Sequence, residues 1–181
     1  MQRKKIGGIS SLCKYTGSLF LYQLVSSLMT FFMCMGVIAF FGKGWWQLIL
    51  TSAVPSITIY SMAYLEAWKY GFNQKGATGS GRGLINAGPV RLDCFVGALI
   101  FELPSVILYL LFVLGQSWAT LPFLFLRYNF YGIYYTFEET GGWIYVIPFL
   151  FLLSPLLAIA GQNFGSRDFS VIDFIKYGKR K

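Results

Sequence analysis

The sequence predicts an all-α, polytopic integral membrane protein: four transmembrane helices plus an aromatic interfacial or re-entrant helix, in one membrane domain over residues 1–181. Three observations carry this. Apolar residues make up 56% of the chain and charged residues only 12%, about half the roughly 25% of soluble domains. Four apolar runs, at about 18–41, 45–68, 94–114 and 143–161, have the length at which a helix crosses hydrocarbon, about 20 residues. Aromatic residues, 19% of the chain, gather near the ends of those runs, as they do at membrane–water interfaces.

Residues 1–17 form a basic lead-in with Arg3, Lys4, Lys5 and Lys14. They are not expected to belong to a cleaved signal peptide: the run that follows is too long for an h-region, and Phe40-Phe41-Gly42-Lys43 leads into Trp45-Trp46 without a small-residue cleavage pattern. Within the first span Gln23, Ser27 and Thr30 fall at i, i+4, i+7. They share one face, which is expected to pack against other helices. Gly42-Lys43-Gly44 then turns the chain, and Trp45 and Trp46 sit at an interface. The second span holds Pro55, which takes away the amide partner of the Thr51 carbonyl and leaves Ser52, Ser56 and Thr58 to help satisfy it.

Residues 69–92 form a glycine-rich polar loop containing QKGATGSGRG. It lacks the G-K-[ST] of a phosphate-binding loop and no strand precedes it, so it is read as a linker. The third span, ending at Gly115, carries Glu102 near its middle with Pro104 two residues on. Charge at that depth is unfavourable and points to function or a partner. Pro104 also frees the Ile100 carbonyl close to the acid. The segment 118–139 is dense in tyrosine and phenylalanine and includes Arg127, Asn129 and Gly132. It is expected to lie at the outer interface or to re-enter, with a fifth crossing as the alternative. Arg127 there is expected to snorkel to headgroups, or to pair with Glu102 if the segment dips inward. Glu138 and Glu139 cap its end. The last span contains Pro148 and Pro155, and the tail 162–181 is basic. A short surface helix is expected there, with Lys176, Lys179, Arg180 and Lys181 contacting anionic lipid.

With four crossings, both termini and the 69–92 loop share one side and hold thirteen of the fifteen lysines and arginines, against Lys43 and Arg127 opposite. This distribution predicts cytoplasmic termini; the membrane is expected to be the plasma membrane. A short likeness, VPSITIY at 54–60 and LPSVILY at 103–109, falls in two antiparallel spans, as in inverted-repeat transporters; short apolar stretches also match by chance.

There is no histidine, and Cys13, Cys34 and Cys94 form no C-x-x-C pair. No catalytic constellation, metal site or cofactor is expected, and the basic residues beside spans give no reason to invoke nucleic acid. The candidate intramembrane polar site is Glu102, Pro104 and Arg127. The sequence points to a non-enzymatic small permease or accessory subunit of a transport system, acting as a homo-oligomer or with a partner membrane subunit. The alternative is a structural or assembly factor packing against other membrane proteins through the Gln23, Ser27, Thr30 face. A lipid-modifying enzyme built on Arg127, Glu138 and Glu139 ranks third.

Overall fold

A computed structural model of the chain describes residues 8–41, 44–77 and 92–167. It is all-α: α1 (Gly8–Phe41), α2 (Trp45–Leu48) running through a π-turn (Ile49–Ala53) into α3 (Val54–Ala77), α4 (Asp93–Val113), α5 (Ser117–Leu126), a 3₁₀ turn (Tyr128–Phe130), α6 (Tyr131–Phe137) and α7 (Trp143–Ser166). Among the described residues four stretches are long and apolar enough to cross a membrane: Leu12–Val37, Trp45–Asn73, Asp93–Val113 and Trp143–Ser166. The protein is an integral membrane protein of the all-α class.

Several boundaries differ from those expected. α1 is helical from Gly8, well before the apolar run, because Tyr15 and Leu19 bury against Ala63, Ala67, Cys94, Ala98 and Phe101. α3 continues to Ala77, so the polar loop starts later than residue 69. α7 continues to Ser166, past the Gly161 end read from hydropathy. The surface helix and lipid-contacting cluster expected at Lys176, Lys179, Arg180 and Lys181 lie outside the described residues.

α3 and α7 run parallel and almost backbone to backbone. A Cβ on Gly71 would strike the Gln162 carbonyl, one on Gly161 the Tyr64 carbonyl, and one on Gly165 the Trp68 carbonyl. Gly161 and Gly165 form the G-x-x-x-G spacing that lets membrane helices approach closely without a hydrophobic drive. Beside them Gln162 is fully buried and caps α4: its Oε1 accepts from the Cys94 amide at 2.9 Å and its Nε2 donates to Asp93 Oδ2 at 3.3 Å. These contacts define one end of the bundle. At the other lie Trp45, Trp118 and Trp143.

The segment after α4 is a re-entrant hairpin. α4 ends at Gly115, whose φ of 80° puts it in the left-handed region. The Gln116 amide donates to Leu111 O and the Gly115 amide to Phe112 O, each at 3.0 Å, the Schellman arrangement. α5 then descends beside α4: Phe123 lies 5.7 Å from the Tyr109 ring and 5.8 Å from that of Phe112. The helix breaks at Arg127, next to Glu102 and Ser105. From there the chain climbs back along the second span. Asn129 bonds Ser56, Gly132 rests on the Thr51 and Ser52 hydroxyls, and Thr136 bonds Gln47. Phe112 touches both Tyr134 and Trp143, at 5.7 and 5.0 Å, so the hairpin begins and ends at the tryptophan-rich end. Its two arms, ten and seven residues long, reach ~15 and ~10 Å at 1.5 Å per residue. Neither is long enough to cross a hydrocarbon core of about 30 Å.

Candidate functional site

The break in the hairpin occurs where two side chains from other elements meet it. Glu102 is the tenth of the 21 residues of α4 and therefore sits at mid-depth. Arg127, the first residue past α5, is 1% exposed and its Nη2 donates to Glu102 Oε2 in a buried ion pair. The expectation that Arg127 snorkels to headgroups is thereby corrected. α5 is only half a span long, so its C-terminal residue is delivered to the bundle interior, out of reach of either surface.

Arg127 is held on all sides. Its Nε donates to Ser105 Oγ at 2.8 Å and its Nη1 to Gln23 Oε1 at 3.0 Å. Its guanidinium carbon lies 4.7 Å from the centre of the Phe101 ring, with Phe151 at 5.7 Å and Phe130 at 5.8 Å, an aromatic surround that favours a cation. The last carbonyl of α5, on Leu126, accepts from Gln23 Nε2 at 2.9 Å and Ser27 Oγ at 3.0 Å. This answers the orphan acceptors of a helix end buried in the bilayer interior. The polar face of α1 is thus used within the chain. Gln23 also donates to Asn129 Oδ1, while the Thr30 hydroxyl turns back to the Ser26 carbonyl at 2.7 Å.

Polar side chains connect this centre to the tryptophan-rich end. Thr136 donates to Gln47 Oε1 and Gln47 to Thr51; Ser52 accepts from the Ile133 amide; Asn129 donates to Ser56 and accepts from Gln23. All seven side chains but Thr136 are buried. The track runs along the π-turn just before Pro55, where the missing proline amide is met by a wider helical turn. Such π-bulges recur at functional sites. Beyond the ion pair, on the α7 side, two polar atoms are left over. Glu102 Oε1 and the Ser154 hydroxyl are both buried and face one another, and neither has a hydrogen-bond partner other than the other among the described residues.

The likeness between 54–60 and 103–109 has a structural counterpart. Ser56 and Ser105 each accept from a side chain at the break, Asn129 and Arg127. Tyr60 and Tyr109 each donate to an α7 carbonyl, Leu150 at 2.9 Å and Ile144 at 2.6 Å. The Ile144 carbonyl is the one that Pro148 deprives of its helical donor. Pro104 immediately precedes Arg127's anchor Ser105, but its ring is only half-buried.

Glu138 and Glu139 are exposed at the tryptophan-rich end, far from mid-depth, so the Arg127, Glu138, Glu139 grouping is not assembled. Among the described residues no three metal-ligating acid or cysteine side chains come together. Sequence reasoning missed the G-x-x-x-G at Gly161, whose spacing is visible in AGQNFG, and the Gln47–Thr136 end of the track, which only the hairpin brings together. Compared with known protein families, curated proteins and solved structures, the chain has no match.

Proposed function

We propose that the protein is a membrane component of a transport system, a small permease or its accessory subunit, without enzymatic activity. The observation that carries this is the Glu102–Arg127 pair at mid-depth, on the break of a re-entrant hairpin. Intramembrane ionisable groups mark ion and substrate pathways, and broken helices meeting at the midplane are how transporters build their sites. The polar track from Gln47 and Thr136 gives the direction of approach. Because its inner members are buried, the form described is closed; lifting α6 off Thr51 and Ser52 opens it. In a cell we place both termini in the cytoplasm, on the strength of the lysine and arginine distribution, and propose the plasma membrane as the location.

Reconstitution into sealed vesicles tests this. An imposed solute or ion gradient is expected to drive flux in the wild type, and Glu102→Gln is expected to abolish coupled transport while the lipid-facing Leu121→Ala does not. Full flux in Glu102→Gln, or no flux of any probe in the wild type, overturns the reading.

A second reading, an assembly factor, is favoured by α1. It is the least buried of the four spans, and Leu21, Val25, Leu28 and Phe32 form a broad exposed face. An apolar groove of about 490 Å³ between α1 and α5 adjoins it. This face, opposite Gln23 and Ser27, is where a second copy or partner subunit packs. Substitutions to tryptophan at Val25 would then break a complex seen by native electrophoresis and leave vesicle flux intact.

A further inference from the structure

We propose that the centre binds a small oxyanion together with one proton, the proton on Glu102 and the oxyanion on Arg127. The inference rests on the transport reading above and names its substrate class.

The charges in the closed form cancel: one guanidinium, one carboxylate. A cation added to this centre brings an uncompensated positive charge into low dielectric, and an anion added alone brings a negative one. A proton and an anion arriving together leave the sum at zero. The geometry suits that pair. Arg127 does not depend on Glu102 for its position, since Ser105 and Gln23 hold Nε and Nη1 and three phenylalanine rings surround the guanidinium. When Glu102 is neutralised the guanidinium stays in place with Nη2 freed, ready for an oxygen of another anion.

Glu102 in turn has a place for its proton. Oε1 has only the Ser154 hydroxyl beside it, and that hydroxyl has no other partner among the described residues. The Ser154 hydroxyl donates to Oε1 when the acid is ionised and turns to accept from it when Oε1 carries the proton, so the pair is satisfied in either state. The titratable groups facing Glu102 from the packed elements are Arg127 at the hairpin break and the Tyr60 hydroxyl of α3; α1 contributes the neutral Gln23 and α7 the neutral Ser154. The step balances. The carboxylate takes a proton, its ion pair with Arg127 opens, and the oxyanion closes an ion pair in its place. On release the oxyanion leaves, Oε1 loses the proton and the original pair re-forms.

The test uses the full chain in proteoliposomes loaded with a pH-sensitive dye. Pyruvate and inorganic phosphate are the probe anions, chloride the control. The wild type is expected to acidify the lumen when either probe is supplied outside, and chloride is not. Glu102→Gln, which imitates the protonated acid, is expected to lose proton movement at least tenfold yet keep labelled-probe counterflow. Arg127→Gln loses both. In detergent, the probes are expected to raise Tm more at pH 5.5 than at pH 8 in the wild type, a readout that needs no variant to fold. Sodium or potassium flux with no response to the probes overturns the oxyanion proposal and leaves the transport reading standing. No flux of any probe overturns both. Loss of counterflow in a folded Glu102→Gln, or a probe-induced Tm shift equal at the two pH values, overturns the proton linkage.

Discussion

Removing the Arg127 guanidinium alone leaves the Glu102 carboxylate buried with nothing opposite it. Breaking a buried pair from one side costs about 3–5 kcal/mol, whereas replacing both partners by apolar groups is often neutral. Arg127→Leu is therefore expected to lower the unfolding free energy in detergent by that amount. The double variant Glu102→Leu, Arg127→Leu should recover most of it, measured as a thermal double-mutant cycle; a double variant no better than the single would show that Arg127 acts through Gln23 and Ser105 instead. Glu102 was legible in the sequence because a charge in an apolar run stands out. Its partner was legible only as an alternative, Arg127 pairing with it if the aromatic segment dips inward. Arg127 sits in an aromatic stretch that composition assigns equally well to a surface, and only the half-span length of α5, set by the break itself, brings it to depth.

At the next level up, helix contacts divide into those that glycine makes possible and those that it does not. Gly165 lies against the Trp68 backbone, whereas a Cβ on Gly36 would meet nothing within 4 Å. Gly36→Ala is expected to stabilise the protein by about 0.5–1 kcal/mol through helix propensity. Gly165→Ala is expected to destabilise it despite the same gain, because α3 and α7 must separate. Opposite shifts of Tm in the two variants check this; equal shifts would mean that the close approach is not maintained in the membrane. Span positions were legible, since they follow from apolar length. The α3–α7 seam was not, because hydropathy put the end of the last span at Gly161 and left Gly165 in the tail. The charge distribution spoke against a fifth crossing, but the choice between surface helix and hairpin was out of reach: the seventeen residues 121–137, mostly apolar, suit both until the tertiary partners of Arg127, Asn129 and Gly132 are known.

For the molecule as a whole, the hairpin fixes parity. Gln116 and Thr140 flank it, both are exposed, and both lie at the end that carries Gly44. Single cysteines at Gly44, Gln116 and Thr140, on a background without Cys13, Cys34 and Cys94, are expected to react alike with an impermeant reagent on intact cells. A cysteine at Arg167, at the opposite end, is expected to be protected. Labelling of position 167 together with Gly44, or opposite behaviour at positions 116 and 140, would mean that the segment crosses. The even number of spans could be read from the lysine and arginine distribution, although Arg127, counted there among the residues of the far side, belongs to neither surface.

The ion pair also has a history in time. Its members are 25 residues apart in the chain, so at about 5–20 residues per second Glu102 is synthesised one to five seconds before Arg127 exists. During that interval α4 offers the bilayer a lone acid. Its commitment to the membrane then waits for the hairpin, and α4 and α5 enter as one unit, before α7 arrives to receive the Tyr60 and Tyr109 hydroxyls. Nascent chains arrested further on, so that residue 127 either has or has not yet left the ribosome, are expected to differ in how firmly α4 resists extraction from the membrane; equal resistance would show that α4 settles without its counter-charge.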